Sequence, residues 1–122
     1  MDLHTVRTYC LEKKGAIEDF PFGKDIHVFK ICGKMFALLS NRNGSLHISL
    51  KCEPEICEIL REQYPAIKPG YHLNKRHWNT IEADGSIPIE EIFGMIDRSY
   101  QLVFKGLKKA ERELITNSLR IK

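Results

Sequence analysis

The densest group of side chains able to do chemistry lies in the block PGYHLNKRHWNT, Pro69 to Thr80. Lys75 and Arg76 are adjacent cations there. A guanidinium can make two parallel bonds to phosphate oxygens, and an ammonium serves as a point charge. His72 and His77 suit hydrogen bonding or phosphate contact better than metal ligation, since their spacing need not turn them toward each other. Trp78 offers a face for stacking on a base or sugar, although a lone Trp in a strand more often fills a core. Asn74 and Asn79 can read groove edges, and Asn is equally at home stabilising a turn. No Asp or Glu occurs between Glu62 and Glu82, an interval that also holds Lys68. That gap raises phosphate contact above the ordinary solvated turn for Lys75 and Arg76. Arg42, inside NRNG (Asn41 to Gly44), is a second basic tip, and the same tetrapeptide would serve the turn alone. Lys30, Lys34 and Lys51 extend a basic face only if strand alternation brings them to one side. Solubility and edge protection account for them otherwise.

Other chemistry is poorly supplied. The sequence has no Gly-rich phosphate loop, nucleophile elbow, zinc-protease pair or motif-bound carboxylate set, so no enzymatic activity is expected. The four cysteines, Cys10, Cys32, Cys52 and Cys57, sit in apolar or strand-like surroundings. Reduced cysteines pack this way as small hydrophobes, so four free thiols, no metal and no cofactor are expected. A net charge of +3 and a pI near 8.7 are too mild to demand a polyanionic partner by themselves. The longest apolar stretches, such as Met35 to Leu39, fall far short of a membrane span, and the start MDLHTVRTYC lacks a secretion signal. A soluble, cytoplasmic protein of one domain is the expectation.

The elements that must carry these side chains follow from periodicity and punctuation. Asp2 caps a first helix with Leu3, Val6 and Cys10 on one face, stopping near Gly15. EDFPFG, Glu18 to Gly23, reads as a fixed loop whose Phe20 and Phe22 anchor it to the core. Ile26 to Cys32, Lys34 to Ser40 and Ser45 to Cys52 form a three-stranded meander joined by tight turns at Gly33 and Asn43-Gly44. Pro54 opens a short helix to Gln63 that buries Ile56, Ile59 and Leu60. Tyr71 to Leu73 and Trp78 to Ala83 read as a second hairpin around an exposed Asn74 to His77 tip. Pro88 to Lys105 is an amphipathic helix with Ile89, Ile92, Ile96, Tyr100 and Val103 in its stripe, ending at Gly106. Residues 108–122 form a peripheral last helix around Leu114 and Ile115 and a fraying tail. Antiparallel hairpins covered by helices define an α+β class.

Four blocks, EDFPFGKDIHVFKICGKMFALLS, ISLKCEPE, YPAIKPGYHLNKRHWNTI and DRSYQLVFKGLKK, resemble the MmcQ/YjbR-like family from the first helix to about Lys109. The resemblance implies a CyaY-like antiparallel sheet with β-hairpin wings, a monomer, and DNA binding through the paired wings. It implies no reaction and no cofactor. On that reading Lys75, Arg76, His77, Trp78, Asn74 and Arg42 form the nucleic-acid site. Three phosphate contacts, from Lys75, Arg76 and Arg42, would give log affinity a slope of roughly −2.7 against log salt, which means weak and mainly non-specific binding. The alternative is an interaction module with a groove for a peptide or small ligand between the FPFG loop and the HLNKRHW hairpin. A fitted apolar pocket beside the hairpin favours the groove, and a broad convex positive surface favours DNA.

Overall fold

In a computed structural model, which describes residues 1–118, ten elements follow one another along the chain. They are α1 (Leu3–Leu11), β1 (Ile17–Asp19), β2 (Ile26–Ile31), β3 (Lys34–Arg42), β4 (Ser45–Lys51), α2 (Pro54–Gln63), β5 (Ile67–Pro69), β6 (Trp78–Glu82), α3 (Ile89–Lys105) and α4 (Lys109–Ser118). The expected fraying tail, 119–122, lies outside the described residues.

The strands make one antiparallel sheet in the order β1-β2-β3-β4-β6-β5. Its meander closes where the sequence says it should. Cys32-Gly33 and Asn43-Gly44 both have positive φ, 46° with 77° and 52° with 81°. Two consecutive left-handed residues make the hairpin turn whose twist matches that of the strands.

Register then sorts the side chains onto two faces. Leu39, Ile48, Ile81 and Ile67 align across β3, β4, β6 and β5, and all are buried. Against this row pack Val6 and Cys10 of α1 and Ile92, Ile96, Tyr100 and Val103 of α3. Each fully buried aliphatic side chain contributes roughly 1.5–3 kcal/mol. The next row, Leu38, Ser49, Thr80 and Lys68, points to the opposite face, which no helix among the described residues covers. The result is a two-layer α+β fold with helices on one side of an open sheet.

Polar links fix the edges. Asp2 accepts a hydrogen bond from the Thr5 amide (2.9 Å), capping α1. Glu18 of β1 takes Arg7 of α1 and His27 of β2 at 2.6 and 2.7 Å. The Arg7 hydrogen bond first, and His27 after it, hold the Glu18 carboxyl below its ordinary range despite partial burial. A depressed folded-state value stabilises the fold above the unfolded carboxylate pKa, and that stability is lost as pH falls through the folded value.

Several expectations change. The segment 17–19 pairs with β2 as an edge strand, and the loop after it leaves Phe20 and Phe22 exposed at 42% and 57%. That loop hangs off the uncovered side, where no second layer can bury the rings; Phe20 rests edge-on against His27. The first strand of the second hairpin is Ile67–Pro69, at the sheet edge, rather than Tyr71 to Leu73. After Gly70 donates to the Trp78 carbonyl (2.8 Å), the Tyr71 amide is taken by the Thr80 hydroxyl (2.9 Å) and the ladder ends. In α2 the buried member is Cys57 while Ile59 is exposed, and in α4 Ile115 is buried while Leu114 is exposed.

The cysteines also differ from expectation. Cys52 and Cys57 are disulfide-bonded, with Cα atoms 5.9 Å apart, across the start of α2. Pro54 begins that helix, so the chain folds back within one turn and brings the two side chains together. Cys10 and Cys32 are free. Burial pushes the Cys10 thiol up to about 12, whereas Cys32 is exposed. Iodoacetamide without reductant is therefore expected to label Cys32 quickly and Cys10 only on unfolding. Cys52 and Cys57 should react only after reduction, and rapid labelling of either in untreated protein would show the bridge to be open.

Candidate functional site

The uncovered face of the sheet holds a cavity of about 490 Å³. Its floor is Ile26 of β2, Leu38 and Ser40 of β3, and His47 and Ser49 of β4, the side chains that alternation turns away from the helices. One wall is the loop after β1, with Phe22 and Asp25, and the other is the loop between β5 and β6, with Tyr71, His72 and Leu73. Phe22 and Tyr71, at opposite rims, are both more than half exposed. Large apolar side chains left in water around a concavity mark a place where something binds.

The second wall is held from behind. Lys75 donates from Nζ to the Gly70 carbonyl (2.8 Å), closing its own loop. Arg61 of α2 donates to the Lys75 carbonyl, to the Asn79 side chain (2.7 Å) and to the Trp78 carbonyl (3.3 Å). Asn79 in turn donates to the Cys57 carbonyl (3.3 Å). The loop is thus tied to α2 and to the disulfide end of that helix. His72 adopts φ 59°, a conformation costly for a residue with a Cβ, and its ring lies 4.0 Å from that of Tyr71.

The sequence-derived residues come together only in part. Arg42 reaches over the Tyr71 ring, 3.9 Å from its centroid, so the two hairpin tips meet across the cavity. Two wings splayed to straddle a duplex would not touch. Arg76 is exposed at the loop tip, and Asn74 acts as the turn former, accepting from the Arg76 amide (2.9 Å). The backbone of His77 pairs with Asn74 (3.3 Å) and with Cys52 (2.9 Å). Trp78, 7% exposed, packs into the protein, so it offers no stacking face. Asn79 is buried as well. The acid-free interval of the sequence is not acid-free in space, because Glu55 and Glu58 of α2 line the same shallow cleft as Lys75 and Arg76. Lys30 is paired with Asp19 at 2.9 Å.

Sequence reasoning found both walls of the cavity and missed its floor. Ser40, His47 and Ser49 read as ordinary strand polar residues. The available signal was their position: the polar and half-buried residues of β3 and β4 alternate with the fully buried ones, as on a sheet face that lacks a helix.

Comparison with known proteins agrees with this fold. The chain matches the YjbR family over residues 11–102. It is 33% identical to the uncharacterized protein YjbR of Escherichia coli strain K12, over 94% of this chain and 98% of that one. It is 42% identical to YyaQ of Bacillus subtilis strain 168, over 75% and 88%. The crystal structure of Deinococcus radiodurans protein DR2400, with its DUF419 domain, superposes with a TM-score of 0.86 at 41% identity, covering 93% of this chain and 87% of that one. A Pseudomonas syringae protein superposes at 0.73 with 34% identity, over 84% and 98%. With its six-stranded open sheet, its two facing loops and a match spanning most of its length, the chain belongs to the YjbR family.

Proposed function

We propose that this protein is a non-catalytic binding module that takes a small, largely apolar molecule on the open face of its sheet. The observation carrying this reading is the cavity itself, which joins the FPFG loop and the HLNKRHW loop over a floor of Ile26 and Leu38. Its volume of about 490 Å³ falls within the range of ordinary ligand pockets. A broad convex positive surface, which DNA would need, has less support. The Lys75 ammonium is turned back onto the Gly70 carbonyl, Arg42 faces the cavity over the Tyr71 ring, and Glu55 and Glu58 of α2 line the cleft that holds Lys75 and Arg76.

The test is a fluorescence titration with phenylnaphthylamine, a neutral aromatic probe that brightens in apolar surroundings. Leu38, on the central strand of the cavity floor, is half-buried and makes room for the ligand. Leu38→Trp fills that room and should weaken the probe at least about tenfold, the effect of losing roughly 1.4 kcal/mol. Unchanged affinity in this variant, with its fold intact by circular dichroism, would count against the cavity. A DNA duplex titrated at two salt concentrations supplies the opposing outcome. A slope no steeper than about −0.9, that of a single phosphate contact, is expected, and a measured slope near −2.7 would restore the wing reading.

A further inference from the structure

Resting on the cavity reading above, we propose that its occupant is an organic monoanion: a flat apolar body carrying one carboxylate or sulfonate group that Arg42 binds. Arg42 is a half-buried residue at the cavity wall. Among the described residues its one contact is the face of the Tyr71 ring, and it has no carboxylate or carbonyl partner. A ring face accepts none of the in-plane N–H bonds, so the fork of donors that recognises a planar anion remains unspent. Four other cations of the fold contrast with it. Arg7, Lys13 and Lys30 are each paired with a carboxylate, and Arg61 donates to two backbone carbonyls and to Asn79.

The rest of the lining selects the body and the charge. Phe22, Ile26, Leu38, Tyr71 and Leu73 give the concavity apolar walls with two exposed aromatic rims, which suit a planar ring system. On the floor, His47 points Nδ1 at the Ser45 carbonyl (3.1 Å). A carbonyl only accepts, so in neutral His47 the proton sits on Nδ1 and Nε2 is left as an acceptor. Ser40 has no side-chain partner among the described residues and can give or take one hydrogen bond. Asp25 stands on the loop wall, exposed and unpaired among the described residues, and it disfavours a second negative charge. One anionic group at Arg42 is the complement of this set, and a phosphate monoester with two charges is not.

Anilinonaphthalene sulfonate and phenylnaphthylamine share one aromatic framework and differ by the sulfonate, so together they separate the charge from the cavity. The sulfonate probe is expected to bind wild type more tightly than the neutral one. Arg42→Met should weaken the sulfonate roughly tenfold to a hundredfold, the range for a charge-assisted bond in a partly dry site, and change the neutral probe by less than about threefold. Arg42→Lys, which keeps the charge and loses the fork, should fall between. Equal affinity for both probes, with Arg42→Met indifferent, would overturn the anion and leave the cavity reading standing. Failure of both probes to bind, or binding unaltered by Leu38→Trp, would overturn the two together.

Discussion

Ser99→Ala is expected to cost about 2–3 kcal/mol and to lower the melting temperature by about 10 °C. Ser99 sits in the middle of α3 within the stripe that also buries Ile92, Ile96, Tyr100 and Val103, and it is wholly inaccessible. Its hydroxyl donates to the Phe36 carbonyl (2.5 Å) and accepts from the Lys51 amide (2.9 Å). Phe36 lies where the pairing of β2 and β3 slips. Phe29 faces Ala37 while Lys30 faces Met35, so Phe36 has no partner in the register. One side chain therefore docks the long helix onto two neighbouring strands and supplies hydrogen bonds to both. Alanine removes the hydroxyl and leaves a part-buried donor and a buried acceptor short of a partner, at roughly 1–3 kcal/mol for the buried one and less for the other. Its better helix propensity returns only about half a kcal/mol. Urea unfolding with an unchanged slope should read the loss, and a cost under about 0.5 kcal/mol would show that water or a backbone shift replaces the hydroxyl.

That residue also marks what periodicity can and cannot reveal. The stripe of α3, the two positive-φ turns and the Asp2 cap were legible because each depends on neighbours in sequence: spacing of 3.6, an Asn-Gly pair, a carboxylate three residues before an amide. Ser99 is a polar residue within that apolar stripe, and nothing local marks its role, because its partners, Phe36 and Lys51, are far away in the chain. The Cys52–Cys57 bridge was missed for a different reason. Its spacing fits no zinc motif, and only the fold of the chain into α2 at Pro54 brings the two together. The candidate site was half legible. Its two loops announced themselves through Pro, Gly and aromatic residues, whereas the cavity between them is made by which face of the sheet the helices leave bare. Charge was the least transferable signal: a gap in acids along the sequence became a cleft shared with Glu55 and Glu58 once α2 packed beside it.

Gly70→Ala should destabilise the protein by about 1–3 kcal/mol and weaken probe binding in the sheet-face cavity, although a methyl group is the smallest possible addition. Gly70 is buried where β5 hands over to the cavity wall, and its amide bonds to the Trp78 carbonyl at 2.8 Å. A Cβ built there would stand 2.7 Å from Trp78 Cβ, 3.0 Å from the Trp78 carbonyl oxygen and 3.2 Å from Leu73 Cβ. None of these atoms is the free end of a flexible side chain, so the backbone must move. The neighbour that moves with it is Tyr71, whose amide is fixed by Thr80 and whose ring carries Arg42. Lys75 loses its acceptor geometry at the Gly70 carbonyl by the same shift. Gly94 is the matched control: it lies exposed in the interior of α3, and a Cβ there meets nothing within 4 Å. Gly94→Ala should stabilise the helix by up to about 1 kcal/mol and leave the sheet-face cavity unchanged. The same chemical change is thus expected to act with opposite signs at two glycines, one shaped by close approach of chain segments and the other free of it. If Gly70→Ala matches Gly94→Ala in stability and binds the probe as wild type does, the wall between β5 and β6 is more pliable than its hydrogen bonds imply, and the cavity loses its fixed side.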